Sequence, residues 1–537
     1  MPRYFPVLCA IVLAVGHFFV YHHALLASPW RFNDDVVQHY LWLVDTPWAD
    51  DFYARTSGRI QPWGYRALLR TLSLGVDPLA LSRYGPLLIT VLTFVYATRL
   101  FQRFFPLAIA LAGAYLVTQG SVSVMLGFLA RSFCIPLLLI FANYLLRRNY
   151  VGIALTMVAS GLFYPPALLI NGFILLAFLV GWLARRPWRT AGWTPRPYLL
   201  IVGGCLLAGL ITLLQSRYIA ASADFGATFS ADLLGTMPEF SGAGRVAFQN
   251  ILRTDTGWML HYFMQTFVGT WPAPDFGYFL LAVAALIGAL TYRRTAALGA
   301  YLLAFLVVTA GLYQLAKLLT PALFLASRYV EYPWRFGVPV LITFLVGGGW
   351  ALLPRRWTTV LGAALLAGVS VYRLRPAEVS FVDVSSQSAY YRALAKLPAD
   401  ALVAAPPQMA SYVPLLSRRA VLLGHEQAHA LYFTGYYDYV TPRYTDYQNA
   451  VTTDSLPAFA AFLRTYDIDF FVLDPAFREN WGWHYFQPYK RRFEQLIAGR
   501  EREDFALLRI PEEVGTPLYG ELRLISRAQV DSLLTAD

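Results

Sequence analysis

Charged residues are scarce in this chain: Asp, Glu, Lys and Arg make up 14% of its 537 residues, whereas 57% are hydrophobic. A soluble globular protein carries about a quarter charged residues. Apolar runs of membrane-spanning length recur along the sequence, which indicates a polytopic membrane protein. Cysteine is also scarce, and Cys9, Cys134 and Cys205 all fall inside apolar runs. Neither a disulfide framework nor a thiolate metal site is therefore expected.

Eleven apolar runs are predicted to be transmembrane helices, and the first lacks the small-residue cleavage site of a signal peptide. They cover residues 5–26, 84–101, 104–119, 132–146, 150–164, 166–184, 198–214, 278–292, 297–316, 336–353 and 358–372. With a cytoplasmic N-terminus, every short arginine cluster between the runs falls on the cytoplasmic side. All acids of residues 1–372 fall in segments that this topology places outside.

The formal net charge of +11 comes from the membrane half of the chain. Residues 1–372 hold 26 Arg and Lys against 12 Asp and Glu, while residues 373–537 hold 17 against 20. Membrane topology explains this excess, because positive residues flank spans on the cytoplasmic side. No nucleic-acid partner is expected.

The predicted fold is an α-helical polytopic membrane protein with about 11 transmembrane helices and a C-terminal extracytoplasmic α/β domain. The membrane module covers residues 1–373, with outer loops at 27–83, 215–277 and 317–335, and the α/β domain covers residues 374–537. Helical stretches such as SLPAFAAFLRTY alternate there with short apolar stretches. Four of these are predicted to be buried strands: Leu402–Pro406, Ala420–Gly424, Asp469–Asp474 and Phe505–Ile510.

The stretch RFNDDVVQHYLW places Asp34 and Asp35 directly after the first apolar run. Carboxylates beside a bilayer are costly, so the pair calls for a chemical explanation. On a helix Asp35 shares a face with His39, and Asp34 shares the neighbouring face with Gln38; such a cluster can bind a divalent cation or activate a hydroxyl as general base. The structural alternative is that Asn33 or Asp34 caps a helix that begins near Val36, which explains one acid more easily than two.

Other polar residues of the membrane half have two interpretations each. Asp50 and Asp51, a second acidic pair, fit a solvated turn or helix cap. Arg131 and Arg328 lie away from the cytoplasmic arginine clusters and suit either an anionic ligand such as phosphate or an ion pair. The break FYPPA at 163–167 is either an outer turn or the wall of a cavity.

Two stretches of the C-terminal half also attract attention. HEQAH, residues 425–429, matches the zinc-peptidase pattern HExxH, which requires a helix and a third ligand. It directly follows the strand-like AVLLG, so a hydrogen-bonded cluster facing the membrane half is the preferred interpretation. The aromatic stretch FTGYYDYVTPRYTDY suits sugar stacking, and it suits equally a domain surface packed on the membrane half.

These features together resemble the GT-C superfamily of membrane glycosyltransferases. The similarity covers the architecture of the whole chain: one helix, an outer loop opening with DD at Asp34–Asp35, many further helices and an outer C-terminal domain. The chain is most similar to bacterial members with FNDD, PWGY, ARSF and FYPP-like blocks. These blocks are found here at Phe32–Asp35, Pro62–Tyr65, Ala130–Phe133 and Phe163–Pro166.

The resemblance implies a transferase that moves a sugar from a polyprenyl-phosphate-linked donor to a glycan, lipid or protein acceptor, working among membrane lipids at the extracytoplasmic face of a bacterial inner membrane. Asp35 or Asp34 takes the place of the catalytic acid. The remaining predicted substrate site consists of Arg131 and Arg328, on charge grounds, with His39, Arg59, Tyr65 and Tyr164. Arg59 also fits interfacial snorkelling.

A divalent cation, Mg²⁺ or Mn²⁺, held by Asp35 and His39 is left open, because members of the superfamily differ in this requirement. WGW at 481–483 is not followed by the acid of a WWD motif, so transfer to asparagine is not expected. Two other functions stay open: a transporter or flippase of lipid-linked sugars, and a noncatalytic glycan-assembly protein. A membrane zinc peptidase would rest on HEQAH alone.

Overall fold

The computed structural model describes residues 4–44, 51–184, 195–245, 274–319, 323, 325–350 and 381–536. Their contacts divide the chain into two compact units. Unit 1 comprises Met1–Ala27, Pro62–Ser216 and Ile251–Phe381; unit 2 comprises Ser28–Gln61, Arg217–Asn250 and Val382–Asp537. Unit 2 therefore unites parts of the first two predicted outer loops with the C-terminal region, whereas the linear division at residue 373 places those loops in the membrane module.

Unit 1 is built from apolar helices, which satisfy their backbone hydrogen bonds internally and so suit a lipid environment. Their bounds are Phe5–Leu26, Trp63–Ser73, Pro78–Tyr84, Pro86–Phe101, Leu107–Gly120, Val122–Met125, Cys134–Leu146, Tyr150–Phe163, Pro165–Ala184, Arg196–Ala220, Pro274–Leu318 and Glu331–Trp350. Short 3₁₀ helices lie at Leu126–Phe128, Ala130–Phe133 and Ala326–Tyr329.

Five helices of the described residues are long and apolar enough to cross a membrane. They become six if Leu107–Gly120 and Val122–Phe128, bent by 59°, form one span. Two shorter apolar helices, Ala130–Leu146 and Tyr150–Phe163, match predicted runs as well. The number of eleven spans is not confirmed, and the last predicted run, 358–372, lies outside the described residues.

One predicted break between spans is wrong. The runs 278–292 and 297–316 are separated in the prediction at Arg293 and Arg294, yet a single helix, Pro274–Leu318, continues through both arginines. Arginine is a good helix former, and no proline follows Pro274 in this helix to interrupt it. With a cytoplasmic N-terminus, an odd number of spans places the C-terminal domain outside. That position therefore stays a prediction.

Glycine allows two helices of unit 1 to approach closely. Gly113 on Leu107–Gly120 faces Thr343 on Glu331–Trp350, and a Cβ atom at position 113 would lie 2.4 Å from Thr343 Cγ2. The buried Thr343 cannot move away freely, because its hydroxyl donates to the Pro339 carbonyl at 2.8 Å. Small residues at such contacts are typical of membrane helix packing.

In unit 2 a short antiparallel pair joins the first loop to the C-terminal region. Strand β1 (Arg31–Phe32) pairs with β2 (Val382–Asp383), with Arg31 opposite Asp383. Arg31 Nε also donates to Asp383 Oδ2 at 2.7 Å. This pairing fixes the chain immediately before Asp34 and Asp35.

The main sheet of unit 2 has five strands in the order β4-β3-β5-β7-β6. Strands β3 (Leu402–Ala404), β4 (Ala420–Val421) and β5 (Phe470–Leu473) are parallel and confirm three predicted strands. Strands β6 (Thr516–Pro517) and β7 (Arg523–Ser526) add antiparallel pairs.

The fourth predicted strand is wrong, because residues Ala506–Arg509 form a 3₁₀ helix. Phe505 and Leu507 are buried all the same. A short apolar run indicates burial without distinguishing a strand from a helical turn.

The helices of unit 2 surround this sheet and include the predicted SLPAFAAFLRTY helix. Their bounds are Val36–His39, Phe52–Arg59, Ala231–Thr236, Ser388–Leu394, Pro407–Ala410, Val413–Leu416, Thr434–Val451, Leu456–Thr465, Phe477–Asn480, Tyr489–Ile497 and Arg527–Ala536. The aromatic stretch forms Thr434–Val451, where Tyr436, Tyr444 and Tyr447 are buried. The Tyr444 hydroxyl donates to the Gly424 carbonyl at 3.0 Å. These three rings therefore belong to the interior of unit 2.

Gly113→Ala tests the close contact between the two helices of unit 1. The added methyl group would overlap Thr343, and overpacking of this kind costs about 1–3 kcal/mol. We expect a melting temperature several degrees lower, measured on the purified protein in detergent. Gly203→Ala is the matched control, since a Cβ atom there meets no described atom within 4 Å. Equal melting temperatures for the two variants would contradict the contact.

Candidate active site

Asp34 and Asp35 lie between β1 and the single-turn helix Val36–His39. The backbone N–H groups of Val36 and Val37 donate to the carbonyls of Asn33 and Asp34, so the turn is formed by the backbone itself. Asp35 is the N-cap residue, but within the described residues its side chain makes no capping hydrogen bond. Asp34 Oδ1 accepts from the backbone N–H of Asp35 at 3.0 Å. Side-chain capping by Asp35 therefore does not explain the pair.

Gln38 links Asp35 to a second acid, Glu426. Gln38 Nε2 donates to Asp35 Oδ1 at 3.4 Å and to Glu426 Oε2 at 2.6 Å. Arg245 Nη2 donates to the same Glu426 oxygen at 2.5 Å, and its Nε donates to the His425 carbonyl at 2.9 Å. Three segments of unit 2 thus meet at the carboxylate of Glu426. Glu426 is buried, with 8% of the residue exposed.

The acids of this cluster influence one another. Burial raises the pKa of Glu426; Arg245 and Gln38 oppose that shift, while Asp34 and Asp35 add to it. Burial likewise raises the pKa of the Tyr412 hydroxyl, and the charges of Glu426 and Asp34 raise it further. Negative charge is therefore concentrated around one arginine. Carboxylates in such surroundings are better proton acceptors than carboxylates in water.

His39 and Asp35 each contact a glutamine side chain. His39 Nδ1 lies 2.7 Å from Gln61 Nε2, so the Gln61 amide orients the ring. Asp35 pairs with Gln38 three residues on, because i and i+3 side chains also meet on a helix. The shared face of Asp35 and His39 stays a prediction.

Asp35 and His39 are the predicted ligands of a divalent cation. Among the residues that the structure describes, no group of three or more His, Cys, Asp or Glu side chains is arranged to hold a metal ion. The Asp35 carboxylate accepts from Gln38, and His39 Nδ1 lies beside the Gln61 amide nitrogen. A cation held by Asp35 and His39 stays a prediction, and no catalytic step is assigned to it.

HEQAH forms turns after β4 and not the helix that a zinc-peptidase motif requires. His425 Nδ1 contacts the His484 carbonyl at 3.3 Å, within unit 2. Burial lowers the pKa of His425 to about 4 and the pKa of His429 and His484 to about 3. The three imidazoles are therefore neutral at pH 7. The hydrogen bonds of Glu426, the central residue of HEQAH, come from Gln38 and Arg245.

Arg59 lies in an ion-pair cluster of unit 2. Arg59 Nη1 is 3.5 Å from Asp224 Oδ2 and donates to the Ser222 hydroxyl. Arg55 binds the two oxygens of Asp224 through Nε and Nη2, each at 2.8 Å. Asp51 caps the helix Phe52–Arg59 by accepting from the Ala54 N–H at 3.0 Å, which confirms its predicted role, whereas Asp50 lies outside the described residues.

The other predicted substrate residues belong to unit 1. Tyr65 is fully buried, and its hydroxyl donates to the Phe128 carbonyl at 2.9 Å. Arg131 lies in the 3₁₀ helix Ala130–Phe133. Tyr164 stands at the break between Tyr150–Phe163 and Pro165–Ala184, and its hydroxyl is within electrostatic range of Arg328. The roles predicted for Tyr65, Arg131, Tyr164 and Arg328 stay predictions.

Similar proteins are found among solved structures. No family model and no curated protein matches the sequence. The archaeal oligosaccharyltransferase AglB from Archaeoglobus fulgidus, in complex with an inhibitory peptide and a dolichol-phosphate, is similar with a TM-score of 0.45 and 12% identity, over 88% of this chain and 70% of that one.

Two further structures of the Archaeoglobus fulgidus oligosaccharyltransferase show the same level of similarity. The apo form has a TM-score of 0.46 and 12% identity over 89% of this chain and 70% of that one. The complex with Zn and sulfate has a TM-score of 0.45 and 11% identity over 87% and 68%.

Sequence reasoning missed Arg245 as part of the site. Arg245 had no local signal, since its contact with Glu426 spans 181 positions. Gln38 was expected near the acidic pair, and its contact with Asp35 agrees with that expectation. Glu426 belongs to the HEQAH stretch, for which hydrogen bonding is preferred to zinc binding, and it accepts from Gln38 and Arg245.

The buried histidines predict a pH-dependent stability. In the unfolded chain they protonate near pH 6.5, whereas the folded protein keeps them neutral down to about pH 3–4, so stability is complete above pH 6.5 and is lost as the pH falls below it. We expect the melting temperature to fall between pH 7.5 and pH 5, and to fall less in His484→Phe. His23→Phe, at an exposed histidine, should follow the wild type. An equal fall in His484→Phe would contradict the neutral state of His484.

Proposed function

We propose that this protein is a membrane glycosyltransferase that moves a sugar from a polyprenyl-phosphate-linked donor to an acceptor at the extracytoplasmic face of a bacterial plasma membrane. Asp35 or Asp34 is the catalytic base. The observation that carries the proposal is the site around Asp35, a half-buried carboxylate that does not cap its own helix and is linked through Gln38 to the buried Glu426.

The cost of this cluster supports a chemical role. Three carboxylates, those of Asp34, Asp35 and Glu426, interact electrostatically around Arg245. Bringing like charges together in a partly buried site costs free energy, and such arrangements are found mainly where a perturbed proton affinity is used. A helix cap would require one acid, and it would not require other carboxylates nearby.

In the proposed reaction, the base accepts the proton of the acceptor nucleophile as that atom attacks the anomeric carbon. The bond between the anomeric carbon and the phosphate oxygen of the donor breaks, and polyprenyl phosphate leaves as an anion. Cationic groups stabilise the charge that develops on the leaving oxygen. Arg131 and Arg328, chosen on charge grounds, are the candidates for this role.

Asp35→Asn tests the base directly. Asparagine has the same size and caps helices as well as aspartate does, so the fold should remain while the proton acceptor is lost. We expect kcat to fall at least ~100-fold, since general base catalysis contributes about 10²–10⁴. The measurement is release of polyprenyl phosphate in detergent by the purified full-length protein, from synthetic polyprenyl-phosphate hexose and pentose donors. Asp34→Asn, assayed in parallel, shows which acid acts.

Asp77→Asn is the matched control. Asp77 caps Pro78–Tyr84 through two backbone N–H groups, so the substitution removes a capping carboxylate from unit 1 and should leave kcat within about twofold of wild type. Retained turnover in both Asp35→Asn and Asp34→Asn would reject the catalytic assignment. A flippase would release no polyprenyl phosphate in detergent, where no two compartments exist.

A further inference from the structure

We propose that Glu426 is the positioning residue of the catalytic base: clamped by Arg245, it holds the Gln38 amide that orients Asp35. This inference rests on the proposed function, in which Asp35 is the base. It gives a role to the central acid of HEQAH, a motif that the proposed reaction leaves unused.

The Gln38 side chain is the link between the two acids. Its single Nε2 atom lies within hydrogen-bond distance of both Asp35 Oδ1 and Glu426 Oε2. Ionised carboxylates only accept hydrogen bonds, so the NH₂ end of the amide must face both of them. Because the amide is planar, the short bond to Glu426 determines the direction of the second N–H toward Asp35.

Arg245 fixes the position of Glu426. Its Nε donates to the carbonyl of His425 and its Nη2 to the carboxylate of Glu426, so one planar guanidinium binds two consecutive residues. The side chains of Arg245 and Glu426 are 18% and 10% exposed. Separating the two members of such a buried pair would leave each charge uncompensated, which is costly. Arg245 and Glu426 therefore keep each other in place.

The helix that carries Asp35 is held on its other side as well. The Ser57 hydroxyl donates to the Gln38 carbonyl at 2.8 Å, and Gln38 itself is 9% exposed. The position of Asp35 is thus determined by the first loop segment and by residues more than 380 positions away in the chain. Accurate placement matters for catalysis, since an error of about 1 Å in a reacting group can cost ~10²-fold in rate.

Variants of the two partners of the short hydrogen bond test this role. Gln38→Met removes the amide at nearly constant length, and Glu426→Gln removes the charge that Arg245 binds. With the same donors, we expect each variant to lower kcat about 10- to 100-fold while the KM for the donor stays within about twofold. The double variant should be no worse than the worse single one, because both substitutions interrupt one chain of contacts.

Glu239→Gln is the matched control, and Arg245→Lys is a second, milder variant. Glu239 is a buried carboxylate of unit 2 that accepts from the Tyr437 hydroxyl at 2.9 Å, and its substitution should leave kcat unchanged. Arg245→Lys keeps the charge beside Glu426 and loses the fork. Size-exclusion chromatography and the melting temperature should show that Arg245→Lys stays folded. Its kcat should be several-fold lower, with an unchanged KM.

The outcomes separate the two proposals. If the wild type releases no polyprenyl phosphate, or Asp35→Asn is fully active, the proposed function fails and the positioning role fails with it. If Asp35→Asn is inactive but Gln38→Met, Glu426→Gln or folded Arg245→Lys keeps the wild-type kcat, Asp35 remains the base and the positioning role is wrong. The positioning role is also overturned if the kcat losses of the two single variants multiply in the double variant. It is overturned likewise if the variants change KM and leave kcat at the wild-type value.

Discussion

The hydrogen bond from Gln38 to Glu426 is the contact on which the candidate site depends. It joins two residues 388 positions apart, at a distance of 2.6 Å and away from solvent. On one side Gln38 belongs to the turn that carries Asp34 and Asp35; on the other, Glu426 belongs to a turn that follows β4. This contact links the acidic pair of the first loop to the buried Glu426.

The physical constraint behind the cluster is the cost of burying like charges. Asp34, Asp35 and Glu426 affect one another, and the cation that Glu426 contacts is Arg245. Hydrogen bonds from an amide and a guanidinium make this arrangement possible, because each favours the ionised form of the acid that accepts it. The buried imidazoles of His425, His429 and His484 are neutral at pH 7 and add no positive charge to this cluster.

Unit 1 shows how membrane helices supply polar groups without exposing them. Its helices are apolar, and the predicted substrate residues Arg131, Tyr164 and Arg328 lie in 3₁₀ turns or at a helix break. Backbone irregularity in a membrane protein is tolerated where protein or a cavity surrounds it. The interruptions at these positions therefore coincide with the polar residues of unit 1 that the sequence predicts to bind substrate.

The sequence by itself determined the membrane character of the chain, most helix bounds, three strands of the sheet and the unusual position of Asp34 and Asp35. Local properties decide these features: apolar length sets a span, and short apolar runs between turns set a strand. Two features were not predicted, because one sequence pattern suits two conformations. They are the continuous helix through Arg293 and Arg294 and the 3₁₀ helix at Ala506–Arg509.

Only the tertiary structure decided what surrounds the acids. The partners Gln38, Glu426 and Arg245 come from three segments of unit 2, and the histidines of HEQAH lie in a turn because the chain leaves β4 there. Contacts over hundreds of residues follow from packing and strand pairing, which no local pattern of side chains encodes.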